Sequence, residues 1–205
     1  MKRSIDEHAS RFDEKADEYD ESKGEEYRRC RDLVVEYAAP NPDETVLDLG
    51  TGTGAIALAL AGSADSIVGR DISEGMLEQA QQKASELGID NVSFETGRFL
   101  EPAYDGAVDV ITSNFALHHL DDEQKREAIE TLLERYEPRR FVLGDVMFFD
   151  EADPTEPFYD PAVDDPATVG RLVEYITNAG YAVTRVRSVH DQVGVIVAVP
   201  DPTTL

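Results

Sequence analysis

The sequence predicts an α/β fold: a doubly wound, mostly parallel sheet of seven strands with an antiparallel last strand and helices on both faces. Three observations predict it. From Thr45 onward, short segments rich in Val, Ile and Leu alternate with amphipathic segments of helical period, the pattern of a parallel sheet wrapped by helices. The first apolar segment, "TVLDL", runs into "GTGTG" and then into "AIALALAG", a strand, glycine loop and helix of the kind that opens nucleotide-binding sheets. The last two segments, "YAVTRVRSV" and "VGVIVAV", are joined by a turn too short for a helical crossover, so they pair as an antiparallel hairpin.

The elements follow in order. Ile5, Ala9, Phe12, Ala16 and Tyr19 recur at helical spacing, and Tyr27, Cys30, Val34 and Tyr37 or Ala38 give a second helix that stops before "PNPDE". "SIVGRDI" is the second strand. The helix "SEGMLEQAQQKASELG" has Ser73 as N-cap and Gly88 as its stop. "NVSFET" and "AVDVITSN" are strands. "DDEQKREAIETLLERY" is a helix with Asp121 and Gln124 in capping-box positions. "RFVLGDVMFF" is the fifth strand. "PATVGRLVEYITNAG" is a helix with Asp165 as cap, Pro166 in its first turn and Gly180 at its end. The acidic, proline-rich "DEADPTEPFYDPAVDDP" follows the fifth strand, at the sheet end where ligands bind; it reads equally as a lid or as a solvated linker.

The 205 residues fit one domain: an N-terminal helical cap over 1–40 and an α/β core over 41–200. The longest apolar runs are too short to span a bilayer, and "MKRSIDEHAS" has no apolar core of a secretory signal; a cytoplasmic protein without membrane association is expected. The single cysteine, Cys30, reads as a small core residue. The formal net charge is −24, and only five of the 19 basic residues are lysine. Such a surface repels itself in dilute buffer, and high salt relieves the repulsion, so a salt-rich cytoplasm of the halophilic archaeal kind is the expected setting. The same field disfavours nucleic acid, whose binding needs cations on phosphates. The oligomeric state is not legible.

The glycine loop fits two fingerprints. Gly50, Gly52 and Ala55 satisfy the dinucleotide pattern G-x-G-x-x-A, and Gly50, Gly52 and Gly54 satisfy G-x-G-x-G. Asp48 ends the strand beside the loop; a carboxylate there is awkward beside a pyrophosphate and suits an ammonium group. Asp71 ends the next strand, where an acid accepts from ribose hydroxyls of any adenosyl ligand. An adenosyl ligand with an ammonium, a sulfonium and no phosphate is S-adenosylmethionine.

"VLDLGTGTG", "VGRDIS" and "SNFALHHL", with "RFDEKADEYD" before them, together resemble the class I S-adenosylmethionine-dependent methyltransferases, in their small-molecule branch, from about Arg11 to Val199. The resemblance implies a Rossmann-like sheet with the last strand inserted antiparallel and the cofactor over the first two strands. It places Asp48 and Gly50 near the methionine part, Gly52 near the cofactor backbone and Asp71 on the ribose. Ile72 and Phe99 then flank the adenine, Tyr19 closes over the methionine end, and Thr51, Met76, Arg98 and Asn114 complete the expected cofactor-binding set. Two positions depart from the family. Arg98 stands in "TGRFLEP" where an acid usually accepts from the adenine amino group, and a guanidinium has only donors. Arg70 replaces an apolar residue beside Asp71; it reads as an exposed strand end, or else as a partner of Asp71.

Methyl transfer is an in-line displacement, so the enzyme mainly positions the acceptor and excludes water, with a base where the acceptor must lose a proton. His118, His119 and Asp145, at strand ends on the cofactor side, are the catalytic candidates. His190 reads as an exposed turn residue and His8 as a surface helix residue. Adjacent histidines are expected to point apart, so no metal site is expected. "SNFALHH" lacks the asparagine-proline-proline-aromatic tetrad of enzymes that methylate exocyclic base amines or glutamine amides, which favours a small-molecule acceptor. A methyltransferase-like protein that binds the cofactor without turnover is the alternative. An NAD-dependent oxidoreductase is a third reading.

Overall fold

The computed structural model describes residues 9–10, 12–13, 24–150 and 158–203. Tyr19 and His8 lie outside the described residues. Helix α1 (Glu25–Ala38) precedes β1 (Thr45–Leu49), α2 (Ala55–Leu60), β2 (Ser66–Asp71), α3 (Glu74–Leu87), β3 (Val92–Thr96) and β4 (Val110–Asn114). Then follow α4 (Asp122–Tyr136), β5 (Arg140–Phe148), β6 (Ala167–Thr168), α5 (Val169–Asn178), β7 (Tyr181–His190) and β8 (Val193–Pro200). The main sheet runs β3-β2-β1-β4-β5-β8-β7, with the two-residue β6 pairing β5 off this path. The β1, β2, β3, β4 and β5 pairings are parallel. Strand β8 lies antiparallel between β5 and β7, so the seven-stranded sheet and its closing hairpin are as the sequence predicts.

The core lies on both faces of the central strands. All of β4 and all but the first residue of β1 are buried, which explains their unbroken apolar character. One layer packs Leu47, Ile111, Leu143 and Ile196 against Ile129, Leu133 and Ile176 of α4 and α5. The other packs Val46, Val110, Val142 and Val195 against Cys30 and Val34 of α1 and Ile56 and Ala57 of α2. Helix α1 thus buries Cys30, Val34 and Ala38. Each fully buried aliphatic side chain contributes about 2 kcal/mol of transfer free energy. The Cys30 thiol is pushed above its usual range, first by burial and then by nearby Asp145, so it behaves as a core residue.

The caps follow the sequence in two helices and depart from it in a third. Ser73 accepts from the Met76 amide, and Gly88 takes the left-handed conformation that ends α3. Asp121 and Gln124 close the capping box of α4. Helix α5, however, starts at Val169 and is capped by Thr168, which accepts from the Arg171 amide. The predicted cap Asp165 instead donates its amide to the His118 carbonyl at 2.8 Å. Ala167 and Thr168 then pair with Met147 and Phe148. Those two tethers hold the chain extended through Pro166 and delay the helix.

Candidate active site

The glycine loop sits at the C-terminal end of β1, and only glycine meets its geometry there. Gly50 has φ of 65°, and a Cβ on it would stand 2.2 Å from the Cβ of Ala116 on the β4 side. The loop is held from two directions. Gly52 donates its amide to Asp71 Oδ2 at 2.8 Å, while Asp71 Oδ1 accepts from the Ser73 amide at 3.0 Å. Beneath the loop, Asp48 accepts from the hydroxyls of Thr51 at 2.6 Å and Thr112 at 2.8 Å. Burial pushes Asp48 up to about 6, against the pull of those two hydrogen bonds. Asp71 is raised as well, again by burial.

A cleft opens beside this loop. Gly50, Gly52 and Asp71 form its floor, and Ile72, Met76 and Phe99 form an apolar wall with Arg98 beside it. Phe12, Phe115, Ala116, His119 and Leu120 form the opposite end. Seven predicted cofactor positions therefore line one cleft: Gly50, Gly52, Asp71, Ile72, Met76, Arg98 and Phe99.

Three predicted cofactor residues do not line it. Asp48 and Thr51 bond to each other under the loop. The expectation that Asp48 faces an ammonium group is corrected: it is buried outside the cleft lining, and with its oxygens on the two threonine hydroxyls it positions the loop from below. Asn114 is buried, and its amide has no hydrogen-bond partner; the space above Gly144 holds its Oδ1 together with Cys30 and Val34, away from the cleft. Arg70 is neither exposed nor paired with Asp71. It is 3% exposed, and it donates to the carbonyls of Gly69, Pro102 and Ala103 at 3.0–3.3 Å. It thereby braces from behind the loop that carries Gly97, Arg98 and Phe99. Arg98 itself is exposed at the rim.

The three catalytic candidates are brought together. The turn Leu117–His119 follows β4, and Asp145 lies on β5 beside it. His118 Nδ1 lies 2.5 Å from Asp145 Oδ1, and the His118 amide donates to Asp145 Oδ2 at 2.9 Å. The carboxylate thus holds both the ring and the main chain of His118. His119 Nδ1 lies 2.7 Å from Asp164 Oδ1. Burial, and then the neighbouring His118, lowers His119 to about 4. Burial works against the Asp164 charge, but the His119 hydrogen bond and the two imidazoles prevail and hold it at about 2.

The two imidazoles do not point apart, as adjacency in sequence suggests. Their centroids are 4.1 Å apart, and both lie beside Asp164. Of the three candidates only His119 borders the cleft; His118 and Asp145 stand behind it. His190 is exposed, as expected, with its ring 5.5 Å from that of Phe158.

The sequence reading misses Phe12, Phe115 and Asp164. The Phe12 ring lies 5.3 Å from that of His119, and the adjacent Asp13 accepts from the Ser73 hydroxyl at 2.6 Å and the Gly75 amide at 3.0 Å, which holds Phe12 and Asp13 against the cleft. Phe115 has φ of 55°, a strained conformation for a bulky residue, and its ring meets Tyr27 and Phe158 at 5.0 and 6.1 Å. Asp164 lies in the acidic loop after β5, whose position over the strand ends was the one available signal.

A parallel sheet with a glycine loop after β1, an acid ending β2 and a cleft over both defines a nucleoside-cofactor protein of the Rossmann-like class. The comparisons with known proteins carry this further: the methyltransferase domain family matches residues 46–139. A methyltransferase of Bacillus pumilus, itself without an assigned substrate, is 33% identical over 147 residues, 68% of this chain and 67% of that protein. The chain belongs to the class I S-adenosylmethionine-dependent methyltransferases. It spans about two thirds of the length of the first curated relatives it matches. Two solved structures share the fold at low identity. Magnesium protoporphyrin IX methyltransferase of Synechocystis, with bound S-adenosylhomocysteine, aligns at a TM-score of 0.72 and 22% identity over 86% of this chain and 84% of that one. A methyltransferase solved in complex with the Haloferax volcanii Trm112 activator aligns at 0.77 and 18% identity over 93% and 97%.

The residues fit the family's cofactor. The Asp71 carboxylate accepts from the Gly52, Ser73 and Ile72 amides and, with about four acceptor sites in all, keeps capacity for a ribose hydroxyl. Ile72, Met76 and Phe99 offer an apolar slot for a purine, and the glycines allow close approach. No helix among the described residues is long and apolar enough to cross a membrane.

Proposed function

We propose that the chain transfers a methyl group from S-adenosylmethionine to a small-molecule acceptor. One observation carries this reading: a single cleft has the glycine loop and Asp71 on its floor, a histidine backed by carboxylates at one end, and Phe12 of the N-terminal segment against that histidine. When bound, the cofactor supplies a methyl group already activated on a sulfonium. Asp71 and the loop amides hold its nucleoside. Phe12 and Phe115 exclude water from the acceptor end, and their enclosure favours a small acceptor over a macromolecule. In this reading His119, backed by His118, Asp145 and Asp164, assists an acceptor that has to lose a proton.

The test has two arms, both at low and at molar potassium chloride, because the charge of −24 favours a salty medium. Titration calorimetry should show saturable binding of S-adenosylmethionine and none of NAD; the reverse overturns the reading. Incubation with methyl-labelled cofactor and a metabolite extract should then give a labelled small product. Cofactor binding without labelled product from extracts of several sources would favour the non-catalytic alternative.

A further inference from the structure

We infer that His118, His119 and Asp164 form a binding site for one divalent transition-metal cation at the acceptor end of the cleft. The inference rests on geometry. Each of the three residues offers a ligand atom, and these atoms all lie within 4.8 Å of one another. His118 Nε2 is 4.0 Å from Asp164 Oδ2, and His119 Nδ1 is 2.7 Å from Asp164 Oδ1. Two ligands at ordinary zinc distances in a tetrahedral site stand roughly 3.3 Å apart. The two Asp164 separations fall on either side of that value and the third pair lies within 4.8 Å, so side-chain rotations bring the set together.

Two features go beyond a chance meeting of polar groups. The first is the support behind the cluster. His118 Nδ1 is held by Asp145, whose other oxygen takes the His118 amide. That carboxylate places the ring proton on Nδ1 and turns the Nε2 lone pair toward Asp164, which is how metal-ligating imidazoles are oriented in proteins. Asp164 is fixed in the same way: its Oδ2 accepts from the Asp160 amide at 2.8 Å, and its own amide donates to the Asp160 carbonyl at 2.8 Å. The second is access. His118 and Asp164 are buried, while His119 lines the cleft. Three protein ligands with an opening toward a substrate cleft are the arrangement of a catalytic rather than a structural cation site.

The donor set of two imidazoles and one carboxylate selects zinc, cobalt, nickel, iron or manganese over magnesium or calcium. To bind through Nδ1, His119 shifts its proton to Nε2 and gives up its hydrogen bond to Asp164, which becomes a ligand in its place. Resting on the methyl-transfer reading, the site assigns an acceptor class: a small molecule with a hydroxyl, enol or phenol oxygen that takes the open position. The cation lowers that oxygen's pKa as a Lewis acid, and its proton leaves to solvent.

Cobalt(II) is the probe, added to chelator-treated full-length chain in molar potassium chloride, which suppresses binding to the acidic surface. One equivalent should bind, with the visible absorption of a nitrogen-ligated, low-coordinate ion, and zinc should displace it. Asp164→Asn and His119→Gln should each weaken cobalt binding at least thirtyfold. Both should keep the metal-free melting temperature within a few degrees, so that the loss reads as a loss of ligands and not of fold. Failure of the wild type to bind one equivalent overturns the site, as does equal binding by both variants. Either failure alongside normal cofactor binding and methyl transfer rejects the metal and leaves the methyltransferase reading; cobalt binding without cofactor binding does the opposite.

Discussion

The two ends of the cleft are built in different ways. The cofactor end is made of main chain from neighbouring elements: glycine amides, a strand-end carboxylate and a helix cap, with Gly52 and Asp71 only 19 positions apart. The acceptor end is made of side chains from distant loops, with His118 meeting Asp145 across 27 positions and His119 meeting Asp164 across 45. The difference separates what is general from what is particular. A fixed backbone cradle suits a cofactor that never changes, whereas convergent side chains can be exchanged to suit an acceptor.

The strongest break of this contrast is at Gly50. A valine there needs a left-handed conformation and puts a Cβ onto Ala116, with backbone strain of about 1–3 kcal/mol before the clash is counted. Gly50→Val should weaken S-adenosylmethionine binding at least a thousandfold by calorimetry. The His118–Asp145 pair, outside the cleft floor, should persist, seen as an unchanged imidazole nitrogen NMR signature. Affinity within threefold of wild type would show that the cradle is not rigid.

Asp48 tests the support beneath the cradle. Its folded pKa is about 6 against an ordinary 3.8, so the native chain binds more protons than the unfolded chain between those values. Its contribution to stability is therefore fully present below about pH 4 and is lost as pH rises through about 6. The size is about 3 kcal/mol, from two units at about 1.4 kcal/mol each. His119, lowered from 6.5 to about 4, contributes the opposite slope over much of the same range. Comparing wild type with Asp48→Asn cancels the histidine, and urea unfolding should show the variant gaining on wild type as pH rises from 4 to 7. Parallel curves would place the Asp48 charge outside the folding equilibrium.

At the acceptor end, Asp145→Asn should lower the rate of methyl transfer ten- to thirtyfold while cofactor affinity stays within twofold. The amide still accepts from the His118 main chain but no longer fixes the Nδ1 proton, so nitrogen NMR should report mixed His118 tautomers. A cofactor affinity that falls with the rate would mean that the two ends are coupled.

The contrast also explains what was legible. Strand order, the closing hairpin, the caps of α3 and α4, and the roles of Gly50, Gly52 and Asp71 follow from local rules of period, capping and backbone conformation. Asp48 was read toward the cleft because nothing local shows that Thr112, 64 positions later, takes its second oxygen. Arg70 read as exposed because its burial depends on the loop at 97–103 folding across it. The cap of α5 was placed three residues early because β6 exists only by pairing with β5. The two histidines were found from their place after β4, but their approach to each other depends on Asp164, in a loop whose acids look alike in sequence.

Arg98 offers the smallest effect and the finest test of the cofactor end. Its side chain is exposed at the rim beside the apolar slot, in a position where the resemblance implies an acid that accepts from the adenine amino group. An exposed charge is well screened, and an exposed hydrogen bond contributes about 1 kcal/mol or less. Arg98→Asp should therefore tighten S-adenosylmethionine binding by about threefold. Arg98→Ala separates the two causes: if it matches wild type, the gain comes from the new acceptor, and if it matches Arg98→Asp, the gain comes from removing the guanidinium. An acceptor-based gain should persist between low and molar salt, because a hydrogen bond to a neutral amine is short-ranged while a charge effect is screened. Weaker binding by Arg98→Asp would show that the guanidinium itself supports the cofactor, and that this chain holds its adenine differently from relatives carrying the acid.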